Sequence, residues 1–103
     1  MGMHVTSENF ENQVKKADRP VLLDFFATWC GPCQMLTPVI EELEESRDDF
    51  LVGKVNVDEE SALARQFSIT AVPTLLLFKD GVEVKRTAGF LPREDLERFI
   101  DEV

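Results

Sequence analysis

The chain has 103 residues, of which 44% are hydrophobic and 30% charged, a composition that fits one globular domain spanning residues 1–103. Acidic residues outnumber basic ones 20 to 11, and a surface with the resulting net charge of −9 repels phosphate backbones and anionic lipid. The longest apolar run, AVPTLLLF, is far shorter than the ~20 residues of a membrane-spanning helix, and no secretory signal is visible. We therefore expect a cytoplasmic monomer that binds neither nucleic acid nor membrane.

The first part of the chain predicts two strands and a helix between them. The segment MHV is interpreted as a short edge strand, and Thr6 or Ser7 as the cap of a helix with Phe10 and Val14 on one face. The run VLLDFF, residues 21–26, is almost continuously apolar, as in a central strand that is covered on both faces.

A second helix is predicted to begin at the two cysteines and to bury an apolar stripe formed by Met35, Leu36, Val39, Ile40 and Leu43. The rest of the chain predicts a strand, a helix, two strands joined at Gly81 and a closing helix, in the segments LVGKVNV, EESALARQF, TLLLF, VEVKRTA and PREDLERFIDEV. This order predicts an α/β fold with a central mixed β-sheet of about five strands, flanked by four helices. Helical connections make the early strands parallel, and the Gly81 hairpin adds an antiparallel edge.

The two cysteines, Cys30 and Cys33, form a Cys-x-x-Cys motif, which has three common uses. A zinc site needs four ligands, and His4 is the only further soft or nitrogen ligand, so one chain cannot complete the shell. A structural disulfide that closes so small a loop stabilises little, because the gain grows with loop length. Reversible thiol–disulfide chemistry is the use that remains.

The place of the cysteine pair in the chain supports redox chemistry. A buried strand precedes the pair, a helix begins at it, and Pro32 suits a first helical turn. Residues three apart on a helix have Cβ atoms ~5–6 Å apart, so a slight tightening of the turn joins the two sulfurs. We expect Cys30 to be exposed and to attack as a thiolate, and Cys33 to be shielded and to resolve the mixed disulfide.

Asp24 is an acidic residue inside the apolar run VLLDFF. Burial raises the pKa of a carboxyl group, because it disfavours the charged form. One interpretation is structural: an aspartate that is hydrogen-bonded at the end of a strand. The other is chemical: the strand leads to the cysteines six residues later, so Asp24 would serve Cys33 as a general base, through a water molecule.

Pro73 precedes the apolar run TLLLF, where an ordinary central strand has no place for proline. A trans proline at the start of a strand is the commoner arrangement, and a cis Val72–Pro73 bond would turn the chain sharply. The residues themselves leave both forms open.

Over essentially its whole length, the chain resembles the thioredoxin family. The resemblance is carried by Trp-Cys-Gly-Pro-Cys at 29–33, together with Asp24, Pro38, the run VPTLLLF at 72–78 and Gly89. It implies the thioredoxin fold and a thiol–disulfide oxidoreductase that reduces disulfides in client proteins. A separate thioredoxin reductase would restore the dithiol, with no bound cofactor and no metal.

The resemblance also implies roles for individual residues. Cys30 and Cys33 match the nucleophile and the resolving thiol, and Pro73 matches a cis proline that faces the disulfide. Val72 would offer its backbone to an extended client segment, and Lys54 would tune the charge of Asp24. A flat apolar patch for docking client proteins would be formed by Trp29, Gly31, Pro32, Val72, Gly89 and Phe90.

Two residues depart from the family pattern. Phe26 stands where a tryptophan is often found, and we expect this to change packing more than chemistry. Gln34 replaces a common Lys or Arg, which removes a positive charge beside the thiolates. Three alternatives to a reductant stay open: an oxidase or isomerase, a binding subunit whose patch recruits a partner without turnover, and a zinc site shared by two chains.

Overall fold

A five-stranded sheet runs through the computed structural model, which describes residues 2–102. The strands are β1 (Met3–His4), β2 (Val21–Phe26), β3 (Leu51–Asn56), β4 (Thr74–Lys79) and β5 (Val82–Ala88), in the spatial order β1-β3-β2-β4-β5. A π-helix, Glu11–Lys15, joins β1 to β2. The α-helices are α1 (Gly31–Ser46), α2 (Ser61–Gln66) and α3 (Arg93–Asp101). The predicted order of strands and helices is confirmed.

The sheet is mixed, as the helical connections and the Gly81 hairpin together predict. β1, β3 and β2 are parallel, and β4 and β5 form an antiparallel hairpin. β4 also runs antiparallel to β2, which makes β2 the boundary between the two halves of the sheet. This β2–β4 pairing was not predicted from the sequence.

Helices cover both faces of the sheet, because β2 and β4 are apolar at nearly every position. On one face, Leu23 and Phe25 pack with the π-helix and α2. On the other face, Leu22 packs with residues of α1 and α3, including Leu36 and Leu96. Strand alternation places Asp24 on the same face as Leu22, under α1.

Met35 departs from the predicted apolar stripe of α1. Its side chain is 59% exposed, whereas Leu36, Ile40 and Leu43 are fully buried. These three residues repeat at intervals of four and three and share one side of the helix, and Met35 lies about 100° away from Leu36. The prediction that Met35 is buried is wrong.

Thr6, a predicted helix cap, exchanges two hydrogen bonds with Asn9. The Thr6 Oγ1 atom accepts from Asn9 N at 3.2 Å, and Asn9 Oδ1 accepts from Thr6 N at 2.8 Å. This reciprocal arrangement satisfies two backbone donors where the chain turns into the π-helix.

Among residues 2–102, every helix is too short or too polar to span a membrane.

The turn between β4 and β5 depends on Gly81. Its φ of +79° lies in the left-handed region, and a Cβ there would come within 2.7 Å of the Lys15 carbonyl oxygen. A side chain at this position would meet both backbone strain and a contact with main chain that cannot move aside.

We expect Gly81→Ala to lower the free energy of unfolding by about 2–3 kcal/mol, from the left-handed conformation and the steric contact together. Urea unfolding of the oxidised protein measures the change. Gly31→Ala is a matched control, because a Cβ at Gly31 meets nothing within 4 Å. Equal stability of the two variants would contradict the role given to Gly81.

Candidate active site

The two cysteines lie where β2 passes into α1. The strand ends at Phe26, a turn follows in which Cys30 N donates to Ala27 O at 3.3 Å, and the helix begins at Gly31. Cys30 is the N-cap of α1, and Cys33 lies in its first turn. The two sulfurs are joined in a disulfide whose Cα atoms are 5.3 Å apart.

Both cysteines are buried in this oxidised form: Cys30 is 4% exposed and Cys33 3%. The prediction of an exposed Cys30 is wrong, because Ala27, Val57 and Val72 pack around the disulfide. The two sulfurs differ in their partners instead. Cys30 Sγ accepts a hydrogen bond from Cys33 N at 3.2 Å, so a backbone donor in the first turn of the helix points at the Cys30 sulfur.

The segment before β4 approaches the disulfide from the other side. The Val72–Pro73 peptide bond is cis, which confirms the form that the family resemblance implies. Val72 O lies 3.7 Å from Cys30 Sγ. Pro73 O accepts from Gly89 N at 2.8 Å, so this bond ties the loop that carries Gly89 and Phe90 to the same neighbourhood.

Trp29 is the most exposed large apolar residue around the disulfide. Its side chain is 71% exposed, and Phe90, in the loop after β5, is 38% exposed. Gly31 and Pro32, between the cysteines, are exposed as well. The predicted patch therefore contains solvent-accessible surface on both sides of the disulfide.

A groove of about 390 Å³ lies beside this surface, lined by Trp29, Val57, Ile69, Thr70, Ala71 and Val72. Two of these residues, Trp29 and Val72, were predicted from the sequence. The other four were not, and neither was Asp58, whose Oδ2 atom accepts from the Trp29 indole N–H at 3.0 Å. The position of Val57 and Asp58 in the sequence could have identified them. They follow the end of β3, at the same end of the sheet where the cysteines follow β2.

Asp24 lies in the middle of β2, 1% exposed, between Lys54 of β3 and Leu75 of β4. Burial raises the pKa of its carboxyl group to about 6, and the positive charge of Lys54 opposes part of that rise. Its Oδ1 atom is buried without a hydrogen-bond partner among the residues that the structure describes. The interpretation of Asp24 as a carboxylate that is hydrogen-bonded at a strand end therefore does not fit its position.

The two departures from the family pattern have identifiable contacts. Phe26 packs against the disulfide cluster, and the Lys54 ammonium lies 5.8 Å from the centre of its ring. Gln34 donates from Nε2 to Thr28 O at 2.9 Å, which joins the first turn of α1 to the turn that carries Trp29.

Among residues 2–102, no group of three or more His, Cys, Asp or Glu side chains is arranged to hold a metal ion.

Comparison with known proteins agrees with this geometry. The family model named Thioredoxin matches residues 2–102. The chain belongs to the thioredoxin family. Thioredoxin of Chlamydia caviae is 49% identical over 98 residues, which cover 95% of this chain and 94% of the relative. Thioredoxin of Alicyclobacillus acidocaldarius is 46% identical over 102 residues, covering 98% and 96% of the two chains.

Thioredoxin-family membership and the Cys30–Cys33 disulfide identify the protein as a thiol–disulfide oxidoreductase that acts as a disulfide reductase. Its partners are therefore disulfide-containing substrates and a reductase. Thioredoxin 1 of Synechococcus elongatus, at 42% identity over 98 residues, covers 94% of this chain, and 92% of the relative is matched. The five-stranded mixed sheet is the fold that the thioredoxin resemblance implies.

The raised pKa of Asp24 makes folding stability depend on pH. The pKa is about 6 in the folded protein and 3.8 ordinarily, so the protonated carboxyl favours the folded state. The stabilisation that the protonated carboxyl gives to the folded state is fully present below the ordinary pKa. It falls as the pH rises through about 6 and is then lost.

As the pH rises from about 3.5 to about 8, we expect the free energy of unfolding of Asp24→Asn to increase by about 3 kcal/mol relative to that of the original protein. One pKa unit corresponds to about 1.4 kcal/mol. Urea unfolding across this range measures the difference. Lys54→Met moves the fall in stability to higher pH, because Lys54 lowers the pKa of Asp24. A difference between the original protein and Asp24→Asn that does not change with pH would contradict the burial argument.

Proposed function

We propose that Cys30 attacks the disulfides of client proteins and that Cys33 resolves the resulting mixed disulfide. The hydrogen bond from Cys33 N to Cys30 Sγ carries the proposal, because it places a helix N-terminal donor on one sulfur of the pair. The same donor and the positive end of the helix dipole stabilise a thiolate at Cys30 once the disulfide is reduced.

The exchange takes place in two displacements. The Cys30 thiolate forms a bond to one client sulfur, the client disulfide breaks, and the second client sulfur leaves as a thiolate that takes up a proton. Cys33 then loses its proton and attacks Cys30 Sγ, and the remaining client sulfur leaves and is protonated. Two electrons pass to the client, and the Cys30–Cys33 disulfide is formed.

Asp24 accepts the Cys33 proton in this proposal, through a water molecule. It lies on the face of β2 that α1 covers, and Cys33 belongs to the first turn of that helix. With a pKa of about 6, its carboxyl is mostly ionised near neutral pH and is available as a base. Lys54 tunes this group, since its charge opposes the effect of burial.

Client proteins dock on the apolar surface around the disulfide. Val72 offers its backbone to an extended client segment beside Cys30, as in the addition of a strand. The carbonyl oxygen of Val72 lies 3.7 Å from Cys30 Sγ, and this short distance supports the role. The docking patch consists of Trp29, Gly31, Pro32, Val72, Gly89 and Phe90, and Pro73 is a further client-binding residue next to Val72.

The proposed direction of electron flow is from this protein to its clients. The Gly31–Pro32 pair between the cysteines resembles that of the reductants of the family. A separate reductase, linked to a nicotinamide or to ferredoxin, returns two electrons to the pair. No bound cofactor takes part, because the electrons reside on the sulfurs. We propose that the chain works as a cytoplasmic, monomeric single domain.

Replacement of each cysteine distinguishes their roles. We expect Cys33→Ser to accumulate a mixed disulfide between Cys30 and a client protein, and Cys30→Ser to form none. Both variants, and the double variant, lose insulin-disulfide reduction in the presence of a reductase. Mass spectrometry of the trapped adduct identifies the sulfur involved. Retained biological activity in the double variant would contradict the enzyme and favour a binding module.

The proposed base is tested by the resolution step alone. We expect Asp24→Asn to slow resolution of a preformed mixed disulfide at neutral pH, near the lower end of the ~10²–10⁴-fold contribution of general bases. In the original protein this rate rises as Asp24 ionises, through about pH 6. Stopped-flow measurement between about pH 5 and 9 records both effects. An unchanged rate across that range would remove Asp24 from the mechanism.

A further inference from the structure

The loops around the disulfide contain three carboxylates and no lysine or arginine. Residues 27–35, 69–73 and 87–92 have no charged side chain, and residues 57–60 contain Asp58, Glu59 and Glu60. Gln34 contributes to this pattern, because it stands where family members often have a positive charge. Lys54 is half-buried and lies over the Phe26 ring.

Asp58 is the carboxylate that is placed nearest to the proposed client surface. Its Oδ2 atom accepts from the Trp29 indole N–H at 3.0 Å, and the residue is exposed, so an incoming group can reach the carboxylate. Glu60 is turned elsewhere, since its Oε1 atom accepts from Ser7 N at 3.2 Å. An exposed indole ring with a carboxylate at its edge attracts a cation by two independent effects, the ring quadrupole and the negative charge.

The groove determines where that cation would lie in the client. Val72 is both a wall of the groove and the residue whose carbonyl oxygen lies 3.7 Å from Cys30 Sγ. A client segment bonded to Cys30 therefore passes the groove within a few residues of its own cysteine, since an extended chain advances ~3.3–3.6 Å per residue. The lining is mainly apolar, with Val57, Ile69 and Val72, and so fits an apolar client side chain.

We propose that this groove selects client segments that have an apolar residue and a lysine or arginine close to the target disulfide. The apolar side chain enters the groove, and the cation lies against Trp29 and Asp58. This inference rests on the proposed function, because it assumes that the client cysteine bonds to Cys30. An acidic client segment is repelled by Asp58 and Glu59 and, at longer range, by the net charge of −9.

Two peptides test the selection. Each contains one internal disulfide and an apolar residue beside it, and they differ only in whether lysine or glutamate flanks the cysteines. The protein is reduced, freed of reductant and mixed with each peptide, and the fluorescence of Trp29, the only tryptophan, follows the reaction. At low ionic strength, we expect the lysine peptide to react about fivefold faster, with the ratio approaching one at high salt.

Two variants separate the local charge from the overall charge. Asp58→Asn keeps an oxygen that accepts from the Trp29 indole and removes the negative charge, and we expect it to lower the rate ratio about threefold. Glu45→Gln is the matched control: it removes one exposed charge near the far end of α1, about 20 Å from the cysteines. It is expected to leave the ratio unchanged.

The possible results separate the inference from the proposed function. Equal rates for the two peptides, or a faster glutamate peptide, would overturn the selection and leave the reductase chemistry in place. A ratio that falls equally in Asp58→Asn and Glu45→Gln would overturn the role of Asp58. If neither peptide is reduced, the proposed function fails, and the inference fails with it.

Discussion

The chemistry of this protein depends on the point where a buried strand ends and a helix begins. β2 brings the chain to the edge of the sheet, the turn at Ala27 reverses it, and α1 begins one residue after Cys30. The first turn of any helix has unpaired N–H groups, and here one of them binds Cys30 Sγ. β2 is paired with β3 on one side and β4 on the other, so the sheet fixes the end of the strand from which this turn begins.

The same strand carries the buried carboxyl of Asp24, which works against stability once it is ionised and is the proposed base of the resolution step. Above its raised pKa of about 6, the ionised group lies in an apolar layer and loses the hydration that it has in the unfolded chain. Lys54 offsets part of this loss, and Phe26 packs against both the lysine and the disulfide cluster. Asp24, Lys54 and Phe26 thus form a series of neighbours that leads from the buried carboxyl to the disulfide.

The surface around the disulfide has two separate properties. Its apolar part, from Trp29 to Val72, is the proposed docking surface, and the burial of apolar area has no direction that would restrict it to one client segment. Its charge has one sign only, since the adjoining loops have carboxylates and no cation. A family member with lysine in place of Gln34 would present a different field to the same clients, so selectivity can change without any change in the reacting groups.

The sequence by itself determined the order of elements, the central strand VLLDFF, the helix that begins at the cysteines and the redox use of Cys30 and Cys33. These follow from local periodicity and residue chemistry. Tertiary structure decided the antiparallel β2–β4 pairing, the outward position of Met35, the burial of both sulfurs, the cis form of Pro73 and the groove beside Trp29. Each depends on contacts between distant parts of the chain, such as Trp29 with Asp58, 29 residues apart, and Cys30 with Val72, 42 residues apart. A periodic pattern shows which face of an element is buried, but the neighbour that covers that face is chosen only when the whole chain packs.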